Sequence, residues 1–182
     1  MKRLKAIDYI SKSVSEETRI VFCNGATARE GYYCQDRDRN FYLLAAMGHA
    51  ASTAMGMAET QKFPVVAVDG DGNILMNFNV LPAIGSANIK NFVHIVFDNQ
   101  AYETTGAQKT ILGSTALDKV ADECGYDETY KVENLKDFKQ AFLSAYNNGK
   151  KAFIWACVQK NTEDPTSIIP VPPTTMTRKC MK

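Results

Sequence analysis

An α/β fold is predicted, with a doubly wound, mostly parallel sheet of about six strands and helices on both faces. Strand-like and helix-like segments alternate from one end of the chain to the other. Residues 65–68 are an unbroken apolar run and 92–97 are apolar apart from His94, as expected for strands buried on both faces. Each run ends in short polar residues, Gly70-Asp71-Gly72 and Asp98-Asn99. In an open α/β sheet the carboxyl ends of the strands are where ligands bind.

Taken in order, Leu4, Ile7, Ile10 and Val14 recur at helical spacing, so the chain opens with an amphipathic helix. Residues 19–23 read as a strand running into a turn and second helix at residues 24–30. The charged stretch 36–40 reads as a solvated loop before a short strand at 41–44. Residues 48–59, rich in Ala and Gly, predict a helix able to pack very close to a sheet or a cofactor, with its amino end open to an anion. After the 65–68 strand and a tight Gly-Asp-Gly turn, residues 79–87 form a connecting helix with Pro82 in its first turn. Residues 102–110 read as a polar site loop. A helix at 117–124 is closed by Gly125. A strand at 130–132, a helix carrying Leu135, Phe138, Phe142 and Tyr146, and a strand at 152–158 follow. The Pro- and Thr-rich tail 161–182 is expected to cross the surface without regular structure.

The 182 residues suit one domain, 1–182, with a core that needs no staples. With 21 basic against 20 acidic residues, charge argues against nucleic acid or a membrane surface as partner. Five cysteines, none in a C-x-x-C pair, read as reduced thiols in a cytoplasmic protein. No apolar run is long enough to span a membrane.

Asp71 and Asn99 would share one rim if their strands are neighbours. A carboxylate and an amide oxygen, with phosphate oxygens and water, suit a hard cation such as Mg²⁺. Asp69, Asp71 and Asn73 also have the opening spacing of an EF-hand, but Ile74 and Val80 stand where that loop needs Gly and Glu. The EF-hand is rejected.

Gly70-Asp71-Gly72, the 25 residues 73–97, then Asp98-Asn99 resembles the thiamine diphosphate motif, GDG followed at a similar interval by NN. Asn24-Gly25-Ala26-Thr27-Ala28-Arg29-Glu30, Ala46-Met47-Gly48-His49-Ala50-Ala51-Ser52 and residues 102–110 extend it. Together they are similar to the cofactor-binding half of phosphonopyruvate and sulfopyruvate decarboxylases. The resemblance implies thiamine diphosphate and Mg²⁺ as cofactors, with Asp71, Asn99 and the Ala101 carbonyl as metal ligands. It implies cofactor contacts at Gly25, Gly48, His49, Ala50, Gly70, Gly72, Asn73, Ile74 and Tyr102. Met47 matches the bulky residue that props the cofactor in its bent shape; core packing is the other reading. His49 reads either as a diphosphate or substrate contact acting in acid–base chemistry, or as a structural histidine. His94, inside an apolar strand, reads as structural. Arg29 could pair with an anionic substrate group or sit in a surface ion pair. Thr104, Thr105 and Gln108 could line the substrate site. The family's TG-x-QPT loop has Lys109 in place of Pro.

The implied reaction is non-oxidative decarboxylation of an anionic 2-oxo acid, 3-phosphonopyruvate to phosphonoacetaldehyde first and 3-sulfopyruvate to sulfoacetaldehyde as the alternative. In this family a Glu from a separate pyrimidine-binding domain starts cofactor activation, and this chain has no room for that domain. The expectation is therefore a β subunit, inactive alone, in a heteromer with at least two copies each of itself and a pyrimidine-binding α subunit. A 2-oxoacid:ferredoxin oxidoreductase β subunit fits the scattered cysteines poorly. A non-catalytic scaffold keeping the fold is the reading from another class.

Overall fold

The strands at Val65–Gly70 (β3) and Phe92–Asp98 (β4) are parallel neighbours at the centre of the sheet, with Gly70 in register with Phe97. The computed structural model describes residues 1–160 and 169–180. Arg19–Phe22 (β1) and Asn40–Tyr42 (β2) lie on one side of that pair. Lys151–Cys157 (β8) and Glu128–Val132 (β7) lie on the other. The order β2-β1-β3-β4-β8-β7, parallel at every pairing, is the predicted six-stranded sheet. β5 (Ala101–Tyr102) and β6 (Gln108–Lys109) form a separate antiparallel hairpin.

Alternate residues of each strand feed two cores. Ile20, Phe22, Val66, Val68, Ile95 and Phe97 face the helices α1 (Arg3–Ser13), α2 (Ala26–Cys34) and α7 (Leu135–Asn147). Val21, Cys23, Val65, Ala67, Phe92 and Val96 face α3 (Ala50–Thr60), α5 (Val80–Ser86) and α6 (Leu117–Cys124). Ala50, Ala51, Ala54 and Ala58 form the buried side of α3, as its small residues predicted. Gly125 takes the left-handed conformation (φ 100°) that ends α6.

Three expectations change. The Gly-Asp-Gly segment is not a free turn: β3 runs to Gly70 and the helix α4 (Asp71–Met76) starts at the next residue. The polar stretch 102–110 is mostly the β5–β6 hairpin, with a 3-10 turn at Glu103–Thr105. The tail is not irregular throughout: Pro173–Cys180 is a helix, α8, that buries Met176 and Cys180 beside the edge strand β2. Pro starts that helix without loss, since the first-turn amide needs no partner. Residues 161–168, 181 and 182 of the expected tail lie outside the described residues. Among the described residues no helix is long and apolar enough to cross a membrane. The five cysteines form no disulfide.

The contact between α5 and α6 depends on a missing side chain. A Cβ on Gly85 would be driven into the Cys124 carbonyl, which is backbone and cannot swing aside. Gly85→Ala is expected to lower the unfolding free energy by about 2–3 kcal/mol in urea. Wild-type stability in that variant would show that the two helices are not held this closely.

Candidate functional site

Beyond the carboxyl ends of β1, β3 and β4 lies an open cleft of roughly 480 Å³, counted out to adjoining solvent. Its floor is the β3–α4 junction: Gly70, Asp71, Gly72 and Asn73. Asn99 and Ala101 line it from the end of β4, and Tyr102 and Thr104 from the hairpin. Gly25 and Met47 complete the predicted set found here. The strand neighbours predicted from the two motifs thus bring Asp71 and Asn99 into one cavity.

Each floor residue is held by a specific contact. Thr110 donates its hydroxyl to Asp71 Oδ2 (2.8 Å). Asp71 is 4% exposed, and burial, opposed by Thr110 but reinforced by Asp98, pushes its carboxyl up to about 6. Ala101 N–H donates to Asn99 Oδ1 (2.9 Å), which fixes the amide oxygen toward the chain that follows. Gly72 has no room for a side chain, since a Cβ there would meet the Tyr102 ring at 2.6 Å and Met47 Cε at 3.2 Å. Asn73 Oδ1 accepts from Gly48 N–H (3.0 Å), and Asn77 Nδ2 donates to the Gly48 carbonyl (2.9 Å), so α4 anchors the loop that carries Met47. Gly48 needs its positive φ of 87° for that loop. Asp98, where the resembling motif has Asn, accepts from Trp155 Nε1 (3.0 Å) and from Gln100 N–H (2.9 Å).

Several predicted residues lie elsewhere. His49 is exposed, with Nδ1 3.1 Å from the Met47 carbonyl, and does not line the cleft. Gly48 and Ala50 also lie outside it, because the small-residue helix begins behind the anchored loop. Ile74 is a core residue, 1% exposed; its amide lies beyond the first-turn amides of α4 that helix geometry leaves open. Arg29 sits a turn into α2, away from the cleft lining. Thr105 and Gln108 bond each other: Thr105 Oγ1 donates to Gln108 Oε1 and Gln108 Nε2 to the Thr105 carbonyl, both at 3.0 Å, closing the hairpin tip. His94 is structural as expected, fully buried with Nδ1 2.9 Å from the Tyr126 hydroxyl.

No sequence pattern points to the ion triad at the cleft edge. Arg3 grips Glu30 with two bonds, Nε to Oε2 at 2.8 Å and Nη2 to Oε1 at 3.0 Å, and reaches Glu103 Oε2 at 2.7 Å. Burial opposes the Arg3 charge, but the two carboxylates outweigh it and raise its pKa. These partners lie 27 and 100 residues from Arg3, so no local pattern pairs them. Thr110 was visible only as the end of the site loop.

The residues suit a hard cation bearing an anionic cofactor. Asp71, Asn99 and the Ala101 carbonyl are an all-oxygen donor set. A buried carboxylate that resists ionisation is one that a cation would relieve. Asn24 Oδ1, at the cleft wall, is buried with no hydrogen-bond partner. Together these features make a cleft suited to an anionic cofactor and its cation on a doubly wound α/β domain.

The family described as "Thiamine pyrophosphate enzyme, C-terminal TPP binding domain" matches residues 23–156. The chain is 39% identical over 183 residues to the sulfopyruvate decarboxylase subunit beta of Methanocaldococcus jannaschii, covering 100% of this chain and 96% of that one. It is 36% identical over 143 residues to the phosphonopyruvate decarboxylase of Streptomyces viridochromogenes, covering 79% of this chain and 36% of that longer one. The crystal structure of benzoylformate decarboxylase from Polynucleobacter necessarius shares the fold, with a TM-score of 0.73 at 16% identity over 90% of this chain and 34% of that chain. The chain belongs to the thiamine pyrophosphate-binding family that contains the sulfopyruvate and phosphonopyruvate decarboxylases.

The Asp71 pKa has a consequence for stability. The folded-state value lies above the ordinary value of about 3.9, so ionising Asp71 opposes folding. The cost is full above about pH 6 and gone below about pH 4; at pH 7 it is about 2–3 kcal/mol. Without divalent cations, Asp71→Asn is therefore expected to raise the unfolding free energy by that amount at pH 7. The gain should shrink to nothing at pH 4. Equal stability of the two proteins at pH 7 would contradict the burial argument.

Proposed function

We propose that this chain is the cofactor-binding β subunit of a thiamine diphosphate-dependent decarboxylase acting on a 2-oxo acid with a terminal strong anion. The observation that carries the proposal is the convergence of Asp71, Asn99 and Ala101 on one cleft floored by Gly70 and Gly72. Mg²⁺ would be held by the Asp71 carboxylate, the Asn99 amide oxygen and the Ala101 carbonyl. Gly72 lets the backbone approach an anion, and the Asp71, Gly72 and Asn73 amides open α4 toward it. Met47, whose Cε comes close to Gly72, would prop a bent cofactor. When bound, thiamine diphosphate supplies the electron sink for the pair left as carbon dioxide departs. Thr104 lies at the cleft and would meet substrate there. His49, exposed and turned to the Met47 carbonyl, takes no part in this proposal.

A partner subunit is part of the reading. The carboxylates at the cleft are committed, Asp71 to Thr110 and the cation, and Glu30 and Glu103 to Arg3. The acid that activates the cofactor would come from a pyrimidine-binding α subunit closing over the open side, in a heteromer with at least two copies of each. The relative matched along its whole length is itself a beta subunit, which supports the split arrangement. Its name also puts 3-sulfopyruvate first as substrate. Phosphonopyruvate is the second reading, supported by the Streptomyces relative.

The test is aldehyde formation from each 2-oxo acid with thiamine diphosphate and Mg²⁺, by this chain alone and with its α subunit. Turnover is expected only in the mixture and for one of the two acids. Asn99→Ala should weaken Mg²⁺ at least about tenfold. Full-rate turnover by the chain alone, or none with either acid in the mixture, would overturn the reading.

A further inference from the structure

A polar array is buried behind the cleft floor, on the sheet face covered by α3, α5 and α6. Tyr126 lies after the end of α6, and its hydroxyl is 2.9 Å from His94 Nδ1. On the other edge of the ring, His94 Nε2 faces Asp69 Oδ2 at 3.7 Å. Both of those atoms are buried and have no hydrogen-bond partner. The other oxygen of the same carboxylate, Asp69 Oδ1, accepts from Gly70 N–H at 3.0 Å. Gly70 is the residue from which α4 and Asp71 start. Burial, with the nearby Asp69 charge, pushes the Cys23 thiol up, so the thiol beside Asp69 stays protonated. Asp69 is thus faced by Cys23, the Gly70 amide and His94, and His94 by Asp69, Tyr126 and the Phe153 ring.

Parallel pairing produces this arrangement. His94 is in register with Ala67 and Asp69 with Val96, so the two polar side chains are diagonal neighbours on one face. The tautomer follows from the partners. Burial keeps the Tyr126 hydroxyl protonated, so it is able to donate to Nδ1. With that bond made, the ring proton falls on Nε2, the nitrogen facing the carboxylate; the reverse tautomer would set a lone pair against it.

We propose that His94 is a positioning residue for the cofactor floor: its Nε2–H donates to Asp69, which holds the Gly70 amide and so sets where Asp71 enters the cleft. A small rotation of the Asp69 carboxylate would close the remaining gap, about 0.8 Å beyond an ordinary N–H···O bond. The consequence for the cofactor rests on the function proposed above, whereas the array itself does not.

Two measurements test it. The chain holds two histidines, so ¹⁵N-edited NMR of the full chain, with His49→Gln for assignment, reads the His94 ring directly. A proton on Nε2 is expected; an Nε2 without one overturns the proposal. With the α subunit, His94→Phe should raise the half-saturating concentrations of thiamine diphosphate and Mg²⁺ about tenfold, with kcat at saturation kept. His94→Gln can still accept from Tyr126 and donate to Asp69, and should stay within about threefold of wild type. Unchanged half-saturation in His94→Phe, or an equal loss in His94→Gln, overturns the proposal. If His94→Phe does not fold, Tyr126→Phe takes its place: the ring proton should stay on Nε2, held by the Asp69 carboxylate, and its shift to Nδ1 overturns the proposal. Failure of the unaltered complex to bind cofactor would instead sink the proposed function, leaving the NMR result to decide on His94.

Discussion

The parallel pairing of β3 with β4 is the constraint on which the rest depends. Gly70 opposite Phe97 means that the two strands end together, so Asp71 and Asn99 emerge side by side into one cleft. A slip of one residue would turn either Asp69 or His94 toward the opposite core and separate the two cleft residues. The apolar runs of both strands, buried on both faces, make such a slip costly. The fold thus secures the site through the register of its core.

That placement works against the stability of the cation-free chain. Asp71 is carried by the backbone into a buried position where its charge is resisted, with Thr110 as partial relief and Asp98 as a further opposing charge. A cation in the cleft would reverse the balance, turning a destabilising carboxylate into a ligand. The cleft is also open on one side, its edge tied down by the Arg3 bonds that join α1, α2 and the hairpin.

Much of this was legible from local pattern. Apolar runs gave the central strands, alternation gave the parallel sheet, and the Gly70-Asp71-Gly72 and Asp98-Asn99 pair pointed to the cleft. What escaped was non-local or depended on orientation. Arg3, Glu30 and Glu103 are far apart in sequence and meet only once α1 packs on α2. His49 and Arg29 sit within segments that reach the site, but their helices and caps turn them away from it. Thr105 and Gln108 looked like free polar groups in a loop until the hairpin made them partners. The tail looked irregular because Pro and Thr disfavour helix interiors, yet Pro173 stands where a helix begins and Met176 finds a core to cover.

The most direct measurement is to locate Mn²⁺, substituted for Mg²⁺, by anomalous scattering from crystals of this chain with its α subunit and thiamine diphosphate. The account predicts a single cation in each cleft within coordination reach of the Asp71 carboxylate, the Asn99 amide oxygen and the Ala101 carbonyl. A cofactor bound with its cation on other residues, or seated away from the β3–α4 junction, would contradict it.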